Sequence, residues 1–186
     1  MSSTNSPYGL RPVSHPSGTI RQVQQLSGIA SGYATALYTG TPIKPTTDGT
    51  IIATGTGADS TMGVFQGCQF ASAGKYFVLP YWPASQTYDS TSPMYAYYAS
   101  DKEITYEAQC DGAVAATKNF ETINLANTSQ GSTYTGQSTQ ALTATTTGAS
   151  AGTFQVVGLA PYEDNAWGDA YTQVRVRIST YSVPVA

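Results

Sequence analysis

His15 is the only histidine in the chain. Ser-His-Asp or Cys-His chemistry needs a base that cycles its proton near neutral pH, so any such site would have to use it. It stands in SPYGLRPVSHPSGTIRQ, residues 6–22, between Ser14 and Pro16. Nothing around it resembles a nucleophile elbow, and the sequence predicts an exposed or interface histidine without catalytic partners. Paired carboxylates offer a second chemistry. Glu103 and Glu107 lie four apart, which in a strand sets them on one face at roughly 13 Å, from about 3.3 Å per residue. That is wider than the roughly 5 to 9.5 Å of either glycosidase geometry. Glu163, Asp164 and Asp169 cluster with Asn165 in PYEDNAWGDAY. This group lacks the spaced oxygen ligands and closing Glu of an EF-hand loop. A loop whose Asp and Asn bond their own backbone is expected instead.

Cys68 and Cys110 have no metal-ligand spacing. Cysteine packs as a small hydrophobe, so two buried thiols are expected, with a cross-strand disulfide as the alternative. No P-loop, GxGxxG, CxxC or HExxH occurs. The expectation is therefore a protein that is not an enzyme, with no catalytic residues, no metal site and no cofactor.

Composition points the same way. Charged residues make up 10% of the 186, against about 25% in typical soluble domains. Thr, Ser, Gly and 14 Tyr take their place, and branched and aromatic side chains favour pleated, half-buried strands. The net charge is −3, so no basic field exists to attract nucleic acid or an anionic membrane. The longest apolar runs fall far short of the roughly 18 residues that span a bilayer. No secretory signal pattern is visible at the N-terminus, and the sequon Asn127-Thr128-Ser129 reads as chance.

The elements that must carry these residues are short. Residues 1–30 form an extended arm punctuated by Pro7, Pro12, Pro16, Gly9 and Gly18, and residues 31–186 a single β-domain. Strand patterns fall at 34–38, 42–44 and 50–54, the last following the turn pair Asp48-Gly49. A long strand at 62–70 is interrupted by Gly63 and Gly67, which marks bulges or a close backbone approach. Residues 76–79 follow, and MYAYYA (94–99) and ITYEAQC (104–110) flank Ser100–Glu103 as a hairpin. Residues 113–125 read as strand or helical turns alike. Residues 128–152 are a low-complexity Ser/Thr/Gly stretch whose Leu142 could anchor an edge strand. Strands at 154–160 and 172–181 close the chain, the latter with Val174, Val176 and Ile178 on one face and Arg175 and Arg177 on the other. With no amphipathic helix, this predicts an all-β sandwich or barrel, jelly-roll-like or Greek-key. The clusters YFVLPYWPASQTY and MYAYYA supply rings for core and interface, with Tyr81, Trp82 and Tyr88 as the interface aromatics.

Taken in order, SPYGLRPVSHPSG, IASGYATALYTGTPIKPTTDGTI, MGVFQGCQF with YWPAS, and VVGLAPYEDNAWGDAYTQVRVRI resemble one family. It is the small structural proteins of tailed bacteriophages assigned as head decoration, or cement, proteins. The resemblance covers most of the chain and is weakest across residues 113–152. It implies a virion protein, made in the host bacterial cytoplasm, that sits on the outer capsid surface. There it would bridge subunits of the major capsid protein and meet sister copies of itself, as a homotrimer in preference to a dimer. On this reading the arm extends across a neighbour by strand addition. Tyr8, Leu10 and Val13 enter pockets there, and Arg11, His15 and Ile20 add contacts. Removing residues 1–22 should then leave the β-domain folded while weakening capsid binding. The alternative is a fibre-associated or receptor-binding virion module whose Tyr81–Tyr88 loop recognises host surface glycans.

Overall fold

A computed structural model describes residues 4–145, 148 and 152–182. Parts of the expected arm (1–3), of the Ser/Thr/Gly stretch (146, 147 and 149–151) and of the C-terminus (183–186) lie outside the described residues. The protein is all-β, built from antiparallel sheets in the manner of a sandwich. In chain order the strands are β1 (Arg11–Ser14), β2 (Gln22–Leu26), β3 (Leu37–Tyr38), β4 (Pro42–Pro45), β5 (Ile51–Ala53), β6 (Gly63–Ser72) and β7 (Lys75–Leu79). They continue with β8 (Tyr81–Trp82), β9 (Tyr95–Ala99), β10 (Thr105–Gln109), β11 (Thr122–Ile123), β12 (Phe154–Leu159) and β13 (Gln173–Ile178). Residues 116–118 make a single 3₁₀ turn ahead of β11, so the ambiguous stretch 113–125 holds both kinds of structure.

The first sheet runs β1-β10-β13-β12-β11 and the second β2-β9-β6-β4-β5, with β7 on the far half of β6 and a small β3-β8 pair beside them. The second sheet has core on both faces. Val64 and Ala99 join the cluster formed by Tyr106, Phe154, Val156, Val174 and Val176 of the first sheet. Their chain neighbours Phe65 and Tyr98 enter a second cluster with Ile43, Phe70, Trp82 and Met94. The two-residue period of a strand alone sends adjacent side chains to opposite cores.

The glycines in β6 act as the sequence predicts. A bulge lies between Phe65 and Gly67 in the pairing with β9. Gly67 takes φ +149° there, a region open to glycine at little cost. The extra residue resets the alternation, so that Cys68 and Phe70 face the same core as Phe65. At Gly63 a Cβ would stand 2.2 Å from the Ala99 carbonyl oxygen, which is a close backbone approach.

The expected hairpin of residues 94–110 is corrected. β9 and β10 lie in different sheets, and residues 100–104 are a crossover. Ile104 is buried at the corner, Ser100 donates to the Met62 carbonyl at 2.9 Å, and each strand finds its ladder elsewhere. β10 is buried along its whole length between β1 and β13, a setting a free hairpin could not provide. Leu142 is fully buried and bridges to Cys110 and Leu125, so it plugs the first core as an isolated contact.

Both cysteines are buried and unpaired, one in each core. Burial pushes each thiol up to about 12, and the nearby Asp111 charge adds to the effect at Cys110. Thiolate is the reactive form. The native protein is therefore expected to consume no iodoacetamide at pH 8 over a period in which the denatured chain consumes two equivalents. Intact-mass spectrometry of native and denatured samples checks this.

Candidate functional site

The N-terminal segment is woven into its own domain. β1 pairs with β10 and β2 with β9, so residues 11–26 run antiparallel alongside residues 95–109 and edge both sheets. Leu10 is fully buried in the first core, and Ile20 packs against the same cluster. Tyr8 donates to Gln173 Oε1 at 3.1 Å, and its ring lies 5.3 Å from the Arg11 guanidinium carbon. Val13 is half-buried within β1. The expectation that Leu10 is free to enter a neighbour's pocket, in an arm separate from the domain, is thus corrected for the described residues. Prolines hid these strands because an edge strand tolerates a missing donor, as at Pro12.

Glu107 is the anchor of this edge. Its carboxylate is 3% exposed. It accepts from Arg11 at 2.8 Å, from Arg175 at 3.1 Å and from the Tyr162 hydroxyl at 2.6 Å. Burial raises its pKa, but the Tyr162, Arg11 and Arg175 hydrogen bonds outweigh that and hold the carboxyl below its usual range. A carboxylate so held is a poor proton donor. Glu103 stands apart, 3.7 Å from Arg177. In the 162–173 loop, the Asn165 amide donates to the carbonyls of Ala160 and Gln173 and accepts from the Gln173 N–H. Asp169 accepts from the Ala166 N–H at 2.8 Å. The loop bonds its own backbone, in the way the sequence suggests.

The aromatic residues sort differently from expectation. Trp82 has no exposed surface and packs edge-on to Phe70 at 5.1 Å and to Tyr88 at 6.3 Å. It is a core residue, which corrects its assignment to an interface. Tyr88 is partly buried against that core. Tyr81 is half-buried and stacks on Tyr38 at 6.0 Å.

The open apolar surface lies on β7, where Tyr76 is 69% and Val78 73% exposed and Phe77 is at the surface too. β7 leaves β6 through a two-residue turn, Ala73-Gly74, with both residues at positive φ. The Asp89 carboxylate caps the N–H groups of that turn. Counting from the turn, the backbone groups of Tyr76 and Val78 point away from β6 to the free edge. They have no partner there among the described residues. No proline, glycine or central charge guards this edge, although unguarded apolar edges are templates for pairing. Beside it a cleft of about 480 Å³ opens between Phe77, Leu79, Tyr81 and Pro83, with Lys75 and Gln86 at its margin.

His15 has the partners that the sequence did not reveal. Ser17 Oγ lies 2.7 Å from Nδ1, and Asp101 Oδ2 lies 3.2 Å from Nε2. Asp101 arrives on the crossover between β9 and β10, and local sequence carries no signal of that approach. Comparison of the chain with protein-family models, curated proteins and solved structures returns no match.

Two outcomes are expected at the N-terminal edge. Glu107→Gln lowers the unfolding free energy by roughly 2 kcal/mol near neutral pH, the scale of charge-assisted hydrogen bonds. The folded-state pKa is depressed, so this stability is present above the unfolded carboxyl's pKa and is lost as pH falls through the folded value. The gap between wild type and variant therefore closes below about pH 4.5. Urea unfolding at pH 7 and pH 3 measures it. Removal of residues 1–22 deletes β1, Leu10 and the Arg11 partner of Glu107. It is expected to lower the melting temperature sharply, in place of the intact domain that an independent arm would leave behind.

Proposed function

We propose that the protein is a structural virion protein that binds the outer surface of a tailed-phage capsid and cements the shell by bridging major capsid protein subunits. The observation that carries this reading is β7, an exposed apolar strand whose outer edge has no hydrogen-bonding partner among the described residues. Surface of this kind is kept soluble by being covered, and an extended segment of a shell subunit covers it by strand addition. Tyr76, Phe77 and Val78 supply apolar area on both faces of the added strand. The sequence resemblance to head decoration proteins and the all-β fold support the same reading. The copies act on the capsid as a homotrimer, so that many modest contacts on one shell add up to lasting occupancy. The protein is made in the host bacterial cytoplasm and resides on the outside of the particle.

A second reading draws on the cleft beside β7. Phe77, Tyr81 and Pro83 offer flat apolar walls, and Lys75 and Gln86 offer polar contacts at the margin. Such a surface suits a sugar ring of a host glycan, and Tyr81 belongs to the loop the sequence singled out for that role.

The test uses Tyr76→Lys with Val78→Lys. Both side chains are exposed, so the melting temperature is expected to stay within a few degrees of wild type. Occupancy on purified heads lacking the protein is expected to fall at least tenfold. Undiminished binding to heads, or no binding by the wild type, would overturn the capsid reading. A glycan array that lights up with wild type and darkens with Tyr81→Ala would favour the second.

A further inference from the structure

The single histidine sits where two crossovers between the sheets pass each other. After β1 the chain turns at residues 15–18, closed by the Gly18 N–H on the His15 carbonyl at 2.9 Å. Residues 100–104 carry the neighbouring chain from β9 to β10. The ring's two nitrogens have distinct partners. An ionised carboxylate only accepts, so Nε2, facing Asp101, carries the proton. The lone pair of the neutral imidazole then lies on Nδ1, which faces the Ser17 hydroxyl at 2.7 Å and the Ser17 N–H at 3.1 Å; the hydroxyl's other acceptor, the Thr19 carbonyl, lies farther off at 3.4 Å. Asp101 is itself held by the Glu103 N–H on its Oδ1 at 2.8 Å. The carboxylate orients the ring, the ring is a base, and the base contacts a hydroxyl. Those are the roles of an activated serine, which are recognised by geometry and not by chain order.

A turn alone can bring Ser17 to His15, because hydroxyls two residues away commonly bond locally. The turn does not require Asp101, which approaches from a distant part of the chain, nor the space beside it. That space is a cleft of about 380 Å³, within the roughly 300–1,000 Å³ of small-molecule sites. Val23 and Ile104 give it apolar surface, and Arg21 lines it as well. Arg21 makes no ion pair among the described residues, so its charge is available to an oxygen that becomes negative in the cleft.

We infer that this cleft is a serine-nucleophile site that takes acyl groups from short-chain esters, an activity separate from docking through β7. Ser17 Oγ forms a bond to the ester carbonyl carbon as its proton passes to His15 Nδ1, and the C=O π pair moves onto oxygen. Collapse re-forms the carbonyl and breaks the bond to the alkoxy oxygen, which takes the proton from Nδ1 and leaves as the alcohol. Water, deprotonated by the same nitrogen, then attacks the acyl-serine. Its collapse returns the proton to Ser17 Oγ and releases the carboxylic acid. Nothing is oxidised or reduced, and water is the one co-reactant.

The full-length protein is tested with p-nitrophenyl acetate and with a fluorophosphonate probe, the labelled residue being located by mass spectrometry. The native protein is expected to carry the probe on Ser17 and the heat-denatured protein to carry none. Ser17→Ala should abolish both label and ester hydrolysis, and Ser17→Cys should retain acyl transfer. His15→Gln should lower the hydrolysis rate at least about 100-fold, the scale of general base catalysis. Asp101→Asn tests positioning. It should lower kcat at least tenfold with KM and melting temperature unchanged, and Asp101→Glu should recover part of kcat; a purely structural role would instead lower the melting temperature and leave kcat of the folded fraction in place. Circular dichroism confirms that each variant is folded. Absence of label and turnover in the native protein, equal labelling after denaturation, acetylation confined to other residues, or hydrolysis unchanged in Ser17→Ala would each overturn the inference.

Discussion

Two sheets share one edge in this protein, and the rest of the structure depends on that pairing. Residues 11–26 lie antiparallel along residues 95–109 through both sheets and the corner between them. At one end the buried Glu107 gathers Arg11, Arg175 and Tyr162. At the corner His15 meets Asp101. The ribbon covers edges of β9 and β10 that would otherwise stand open, and it brings Leu10 into the core. A buried carboxylate is costly unless several donors face it, so Arg11, Arg175 and Tyr162 together stabilise the edge. Arg11 is paired directly opposite Glu107 in the β1–β10 register, which places the guanidinium at the carboxylate.

The chain uses its few charges sparingly and in fixed places. Arg11 and Arg175 converge on Glu107, Lys44 on Asp59, and Lys118 on Glu121. Lys44 and Asp59 lie near the point where Thr153 bonds the carbonyls of Gly57 and Asp59, a link between the strands of the two sheets. With so little charge left for solvation, the apolar β7 edge stands out. The protein closes one edge with its own N-terminal ribbon, while the β7 edge has no partner among the described residues and Tyr76 and Val78 are exposed there. That contrast is the physical basis for proposing a partner at β7. The corner cleft at His15 lies among other residues, so the proposed docking and the proposed acyl transfer draw on separate parts of the chain.

Local periodicity is enough to set the fold class and the faces of the strands. The all-β class came from short alternating runs. The faces of β13 came from Val174, Val176 and Ile178 against Arg175 and Arg177, and all three apolar residues are buried. Gly63 and Gly67 announced a close approach and a bulge because no other residue type suits either backbone. The self-bonded loop at Asn165 and Asp169 was legible for a similar reason, since short polar side chains reach their own backbone.

Which distant segments meet is set by the folded chain alone. Alternation does not name a strand's partner, so β9 and β10 read as a hairpin although each has its ladder in another sheet. Prolines disguised β1, because an edge strand needs donors on one side only. Trp82 and Tyr76 have equal claims to an interface by residue type, and the second core took one and left the other in solvent. His15 meets Ser17 within its own turn, but Asp101 reaches it only across the corner. Local sequence sets the direction of a side chain, and burial and pairing are properties of the surfaces that close over it.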